Sequence, residues 1–485
     1  MTIPERFTEV VVDFPRRILL SDGNGAYSSE QVFLTAKGVA QELLSKRKFA
    51  GERIALLAPP GLSYVAGMLA GWMRGAMVVP LCPEHPPAEI AHVLSDSQPA
   101  IILCHPSLRA LLPETKIQIA KLVADKPQED FIDFEWNYPS PNNAALMLYT
   151  SGTTGKPKGV VHTHASLASS VQCLIEAWEW TENDRILHFL PLHHTHGIVN
   201  KLLCPLWAGA RCDMLPKFDA KIVWEKLVKE EYTVFMAVPT VYAKLIQAWE
   251  EADETTKQNY SASCKKLRLM VSGSAALPVS VLEKWKTISG HVLLERYGMT
   301  EIGMALSNPL HGERRAGFVG QPLPGMEVRM NAEQELEVRG KNVFREYWKR
   351  ADETKKSFTS DGWFRTGDMV AFEDGYYRIV GRLSTDIIKC GGYKISALEI
   401  ESVLLQHPAV REACVVGIAD ETWGEKIAAI LVLKEGQALT LDELRDWAKP
   451  LLANYKLPTL LKIAEALPRN AMGKTVKNEA KKLLA

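Results

Sequence analysis

Thr150-Ser151-Gly152-Thr153-Thr154-Gly155-Lys156-Pro157-Lys158-Gly159 follows directly on the apolar run Ala-Ala-Leu-Met-Leu-Tyr at 144–149. That run has the length and composition of a buried strand, so the quoted stretch is the loop that leaves it. Its glycines let backbone N–H groups approach a ligand closely, and the interspersed hydroxyls add donors. Lys156 and Lys158 supply positive charge, while Pro157 fixes φ and stiffens the tip. Together these features predict a polyphosphate cradle. The loop is not a Walker A sequence, because only Thr153 and Thr154 separate its first two glycines, short of the G-x-x-x-x-G-K-[ST] spacing. The Gly473-Lys474-Thr475 triplet has Pro468 where that pattern needs its first glycine. No G-x-G-x-x-G follows a strand, so a dinucleotide fold lacks its usual evidence.

Around the loop, strand-like runs at 53–57, 77–81, 101–104, 234–238 and 267–272 alternate with amphipathic helical stretches. The alternation predicts an α/β protein with layered, mostly parallel sheets. Near residue 380 the texture changes. Gly375-Tyr376-Tyr377-Arg378-Ile379-Val380 reads as a hairpin strand ending at Gly381-Arg382. A small α+β unit follows, with a helix at 397–406, strands at 412–417 and 426–433, and a helix at 441–451. A chain of 485 residues exceeds what one core usually supports, so two domains are expected: 1–381, and 382–485 beyond a hinge at 382–386.

Composition narrows the classes. With 57 basic and 57 acidic side chains the net charge is zero, so nothing points to nucleic acid or an anionic membrane. The eight cysteines are scattered without a C-x-x-C and are expected as free thiols in a reducing compartment. Residues 1–20 mix charges with short apolar stretches, unlike a secretory or transit segment, so a cytoplasmic location is expected. The apolar stretch at 62–81 is interrupted by Arg74, Gly75 and Pro80 and reads as a core helix running into a strand.

Seven segments, in order along the chain, carry a wider resemblance. The first is the loop itself. Pro191-Leu192-His193-His194-Thr195-His196-Gly197, Ser272-Gly273-Ser274-Ala275-Ala276-Leu277-Pro278 and Arg296-Tyr297-Gly298-Met299-Thr300-Glu301 follow. The remaining ones are Gly362-Trp363-Phe364-Arg365-Thr366-Gly367-Asp368, then Gly381-Arg382 leading to Lys389-Cys390-Gly391-Gly392-Tyr393, and finally Pro468-Arg469-Asn470-Ala471-Met472-Gly473-Lys474. The set resembles the acyl-adenylate-forming superfamily, which includes acyl-CoA synthetases, peptide-synthetase adenylation domains and beetle luciferases. The stretch from Arg382 to Lys389 departs from many members by one extra residue, which leaves the pivot at Ser384, Thr385 or Asp386.

What the resemblance implies can be given residue by residue. ATP would be held by Thr150, Ser151, Gly152, Thr153, Thr154, Gly155, Lys156 and Lys158 at the β- and γ-phosphates. Ser274, Ala275, Ala276 and the turn Arg296, Tyr297, Gly298, Met299 and Thr300 would line the nucleotide, with Thr300 on the α-phosphate. Asp368 would accept the ribose hydroxyls beside Arg382. Glu301 would hold Mg²⁺, a hard cation that prefers carboxylate oxygen. Lys474 would bridge the α-phosphate and the substrate carboxylate, with His196 beside the acyl pocket. Lys389, Gly391, Gly392 and Tyr393 would serve coenzyme A after the small domain rotates. The partners implied are the acid, ATP and CoA, without nucleic acid, integral membrane contact or an obligate protein partner.

The chemistry suits that inventory. A carboxylate does not react with a thiol at neutral pH, because oxide would have to leave. Transfer of AMP onto the acid creates a good leaving group, and such transfers are accelerated chiefly by positioning and charge neutralisation. Arg296 indicates the acid. In many fatty acyl-CoA synthetases this position is small or apolar, and an unpaired buried guanidinium is costly. A second substrate carboxylate would satisfy it. With His196, Ser272 and the segments 194–200, 271–276 and 295–298, it resembles the malonyl-CoA and methylmalonyl-CoA synthetases. A structural ion pair with Glu283 or Glu295 is the alternative for Arg296. A medium- or long-chain fatty acyl-CoA synthetase, or an enzyme loading a carrier protein, is the alternative function. The histidines at 188, 193, 194 and 196 have neither an i, i+4 pair nor a cysteine or carboxylate completing a set, so no zinc site is expected there.

Overall fold

The computed structural model describes residues 1–44, 49–128, 138–150, 157–229, 231–469 and 475–484. Four sheets form among the described residues. The largest runs in parallel through Leu294–Met299, Leu269–Ser272, Val234–Ala237, Arg185–His188, Arg211–Met214 and Ile18–Asp22. Short antiparallel strands close its edges, Gly25–Ser28 on one side and Gly303–Ser307 with Gln321–Pro322 on the other. A second sheet runs in parallel through Ile119–Lys121, Ile101–Cys104, Arg53–Leu57, Met77–Pro80 and Ala144–Thr150, then turns antiparallel through Lys158–Thr163 and Glu346–Tyr347.

The parallel strands are short and apolar because helices cover both faces, so no alternation with polar residues is needed. The helix Leu62–Met73 is buried along its whole length. It runs into the strand Met77–Pro80, the arrangement expected for the apolar stretch. Thr150 is the last residue of its strand, paired with Lys158 across the quoted loop, so the loop begins one residue later than expected.

An antiparallel sheet of Met326–Met330, Glu335–Gly340, Phe364–Glu373 and Tyr376–Arg382 follows. The last sheet is separate: Ile387–Cys390, Tyr393–Ser396, Val410–Asp420, Gly424–Leu433 and Leu460–Ile463, packed on its own core around Ile388, Ile400, Val415, Leu431 and Leu444. Its helices are shorter than the sequence suggests, Ala397–Leu404 and Leu441–Ala448. After Leu404 the backbone bonds tighten to i→i−3 turns from Gln406 and His407, and Pro450 has no N–H with which to continue the second ladder beyond Lys449.

Next to the turn at 382–386, Asp386 Oδ2 accepts the Arg382 N–H at 3.0 Å. Asp386 Oδ1 and Glu401 Oε1 both pair with Lys477 Nζ, at 2.8 and 2.9 Å.

Candidate active site

Parallel α/β sheets bind ligands beyond the carboxyl ends of their strands. Here those ends carry His188, Ser272 and the turn after Met299 from the large sheet, and Thr150 from the second. His162 links the two sheets: its Nε2 lies 2.7 Å from the Thr300 carbonyl. Burial holds the ring down to about 4, so it is neutral at pH 7 and donates that hydrogen.

Strand Leu294–Met299 reverses sharply into Gly303–Ser307. A side chain at Gly298 is impossible there, because its Cβ would meet the Gly303 carbonyl oxygen at 2.1 Å. The reversal presents Thr300 and turns the Glu301 carboxylate into the protein, where it accepts the Tyr347 hydroxyl at 2.8 Å. Burial holds this carboxyl above the usual range. No helix starts at Glu301, which removes a capping role. A buried carboxylate with a single neutral side-chain donor is the donor set a hard cation completes, so Glu301 fits Mg²⁺. Lys158 Nζ pairs with Glu353 and lies 5.3 Å from the Tyr347 ring centroid, on the same side of the fold.

Asp368 lies inside strand Phe364–Glu373, opposite Arg382 in register. Its carboxylate accepts the Tyr297 hydroxyl at 2.5 Å and an Arg382 Nη1–H at 2.7 Å. Burial opposes the Arg382 charge, but Asp368 outweighs it and raises that guanidinium above its ordinary value. A carboxylate anchored on two sides is a fixed acceptor for vicinal hydroxyls.

Arg296 is 3% exposed, and no carboxylate pairs with it among the described residues. Its Nη2 donates to Ser274 Oγ at 3.3 Å, and its Nε has no partner. Glu295, the proposed structural counter-ion, accepts the Gly317 N–H at 3.0 Å instead, and burial pushes its carboxyl up to about 8, leaving it neutral at pH 7. Glu283 forms no pair with Arg296 either, which removes the structural alternative for this arginine among the described residues. The guanidinium lies against Gly273, where a Cβ would stand 2.7 Å from Arg296 Cζ. Ser274 takes φ +71°, an uncommon conformation outside glycine, and points its hydroxyl at His196 Nδ1, 3.1 Å away. Ala275 and Ala276 continue this exposed turn.

Several other buried polar atoms around this pocket lack partners: Ser272 Oγ, His196 Nε2, Thr195 Oγ1, and both Oδ1 and Nδ2 of Asn200. Buried polar groups are rarely left this way unless a ligand or water fills the gap. His196 and Asn200 share one face of the π-helical turn His196–Leu203. Lys201, in the same turn, donates to the Met236 carbonyl at 2.7 Å and sits 4.0 Å from the Phe189 ring centroid. Burial pushes its ammonium down to about 7. Burial first, then the nearby Arg296 and Lys201 charges, hold His196 well below its ordinary value. It is a neutral hydrogen-bonding group. Thr195 and Asn200 lie within the quoted segments but carry no role in the sequence reading, and Lys201 lies beyond them; the i, i+4 spacing of His196 and Asn200 is the available signal.

Lys389, Gly391, Gly392 and Tyr393 are all exposed, on and beside the Ile387–Cys390 and Tyr393–Ser396 hairpin of the last sheet. Tyr393 stacks on Tyr455 with centroids 4.5 Å apart. Ser151, Gly152, Thr153, Thr154, Gly155, Lys156 and Lys474 lie outside the described residues. One expectation is corrected: Cys82 and His85 come together with His193, so a cysteine does join the histidine cluster. The contact was hidden because the two segments are more than a hundred residues apart.

The chain belongs to the AMP-binding enzyme family, whose model matches residues 7–348, while the model of the AMP-binding enzyme C-terminal domain matches 399–474. Its fold is the adenylate-forming one. It is 45% identical to mitochondrial malonate–CoA ligase ACSF3 of Bos taurus, covering 96% of this chain and 88% of the relative. It is also 45% identical to malonate–CoA ligase of Arabidopsis thaliana, covering 90% and 78% of the two chains. ATP-bound MatB from Rhodopseudomonas palustris superposes with a TM-score of 0.89 at 30% identity over 99% of each chain. A malonyl-CoA ligase in a ternary product complex with methylmalonyl-CoA and AMP gives 0.69 at 37% identity over 94% of this chain and 97% of that one. Among the described residues, no helix is long and apolar enough to cross a membrane.

Proposed function

We propose that this protein is a malonate–CoA ligase: it joins malonate to coenzyme A at the expense of ATP, releasing AMP and diphosphate. The observation that carries the substrate is Arg296, a buried guanidinium with no carboxylate partner among the described residues, at the end of a pocket of unpartnered donors and acceptors. A distal carboxylate of a short diacid supplies what Arg296, Ser272 and His196 lack. A monocarboxylate leaves the charge stranded.

In this reading the near carboxylate attacks the α-phosphorus and diphosphate leaves, giving an acyl-adenylate. Arg296 fixes the far end, so the reacting oxygen meets phosphorus in one orientation. The loop Thr150–Lys158, including Lys156, neutralises the leaving diphosphate, Thr300 meets the α-phosphate, and Lys474 bridges it to the attacking carboxylate. Tyr297, Gly298, Met299, Ser274, Ala275 and Ala276 line the nucleotide, and Asp368, held by Arg382, fixes its ribose. Mg²⁺ at Glu301 would supply charge neutralisation to the phosphates. The thiol sulfur of CoA then attacks the carbonyl carbon, its proton passes to solvent, and AMP leaves.

We place the domain boundary at 381/382, with 382–485 rotating about 382–386 so that Lys389, Gly391, Gly392 and Tyr393 meet the pantetheine arm. The better superposition on an ATP-bound relative than on a more identical product complex supports two arrangements of the same parts. Free cysteines throughout suit a reducing compartment, and we assign the cytoplasm. The mitochondrial names of animal relatives make subcellular fractionation the deciding experiment.

Purified enzyme with ATP, Mg²⁺ and CoA is tested against acetate, butyrate, octanoate, malonate and methylmalonate. Malonate or methylmalonate should lead in acid-dependent diphosphate release. Octanoate ahead of both overturns the substrate, and thioester formation surviving in Lys474→Ala overturns the role of that lysine.

A further inference from the structure

We propose that Cys82, His85 and His193 form a binding site for a thiophilic divalent cation, zinc foremost, separate from the Mg²⁺ position at Glu301. Cys82 and His85 stand on the loop that leaves strand Met77–Pro80 of the second sheet. His193 stands on the loop that leaves Arg185–His188 of the large sheet. The fold thus brings a thiol and two imidazoles from different sheets to one point, with the three ligand atoms within 4.8 Å of one another.

The distances suit the ion. A tetrahedral zinc with Zn–S of about 2.3 Å and Zn–N of about 2.1 Å holds its ligand atoms roughly 3.5 Å apart, so a closure of about 1 Å completes the set. Two imidazoles bound through nitrogen to one such ion have ring centroids about 5 Å apart. The His85 and His193 centroids are 5.1 Å apart, with the rings inclined at 69°.

A second observation points to a ligand. His193 is only 7% exposed, and its Nε2 has no hydrogen-bond partner. A buried imidazole nitrogen without a partner is unfavourable unless something occupies its lone pair or hydrogen. His85 is oriented from the other side: Glu89 Oε2 lies 3.4 Å from its Nδ1, leaving Nε2 free. A carboxylate behind a histidine is the usual outer support of a metal-bound ring.

The ligand set also chooses the ion. Thiolate and imidazole suit zinc and cobalt, while magnesium prefers oxygen. Binding replaces the Cys82 S–H bond by an S–metal bond and releases one proton to solvent. The three side chains leave a fourth tetrahedral position for water. Occupancy would tie the His193–His196 loop, which forms one wall of the acyl pocket, to the second sheet.

The test uses chelator-treated full-length protein and Co²⁺ as a spectroscopic probe, without nucleotide or acid, so it is independent of the proposed ligase activity. The expected result is a near-ultraviolet thiolate-to-cobalt band that saturates at one ion per chain, is abolished by Zn²⁺ and is unaffected by Mg²⁺ at the same concentration. Cys82→Ser should remove the band. His85→Gln, at a partly exposed position that the fold tolerates, should weaken Co²⁺ binding at least tenfold while the melting temperature of the metal-free protein holds. Absence of the band in the unaltered protein, its persistence in Cys82→Ser, unchanged affinity in His85→Gln, or displacement by Mg²⁺ would overturn the site.

Discussion

Replacing Arg296 with methionine separates the distal contact from everything else in the pocket. In the free protein, burial depresses this guanidinium from its ordinary value to about 9. At 1.36 kcal/mol per unit, that difference is about 5 kcal/mol of unfavourable environment, which a carboxylate partner can relieve. Removing one member of such a buried pair typically costs about 3–5 kcal/mol, because the other charge is left stranded. Each 1.36 kcal/mol is tenfold in rate, so kcat/KM for malonate should fall by about 10²- to 10⁴-fold. Butyrate, which never met the guanidinium, should hold or gain. The assay is acid-dependent diphosphate release at saturating ATP, with the KM for ATP measured alongside. The free variant should melt no lower than the parent, since an apolar chain replaces an uncompensated charge. Malonate turnover within tenfold of the parent, or equal losses for malonate and butyrate in a folded variant, would refute the reasoning.

Gly273→Ala should act on the same pocket from behind, because its Cβ would stand 2.7 Å from Arg296 Cζ and force the guanidinium aside; malonate kcat/KM should drop at least tenfold, with the KM for ATP nearly unchanged. The pH profile carries a sign. Burial weakens the hold of the free Arg296 on its proton and a bound carboxylate restores it, so any loss of malonate kcat/KM with rising pH should be steeper in the parent than in Arg296→Met. Tyr347→Phe removes the hydroxyl that donates to Glu301; since a hydrogen bond to a charged group contributes about 1.5 kcal/mol or more, half-maximal activity should need roughly tenfold more Mg²⁺. Away from the site, Asp213 is buried and accepts from Ser21, Arg185, Arg211 and Tyr232. Asp213→Ala should lower stability in urea by about 2–3 kcal/mol, discounted because both arginines are partly in water.

The strands were legible because parallel strands buried on both faces are short continuous apolar runs, and those at 53–57 and 101–104 emerge with the expected bounds. Arg296 was legible for the opposite reason: a charge stood where the pattern demanded an apolar residue. Asn200 and Lys201 gain no role from the sequence because, although spacing puts Asn200 on the face of His196, their buried setting in a π-helical turn depends on packing. The meeting of Cys82 with His193 depends on how two sheets pack, which spacing along the chain does not encode. The last-sheet helices are shorter than their apolar periodicity suggests, because the first tightens into i→i−3 turns after Leu404 and the second loses its next donor at Pro450.

Lys477 sits three positions beyond Lys474 in the chain and grips both Asp386 and Glu401. In the proposed mechanism the ammonium would work as a latch between the hinge and the segment that carries Lys474. Under that mechanism, whatever turns one would carry the other, and both chemical steps would share a single mechanical stop. Reversing that latch with Lys477→Glu would set the swivel loose from its cargo while leaving the acid pocket intact.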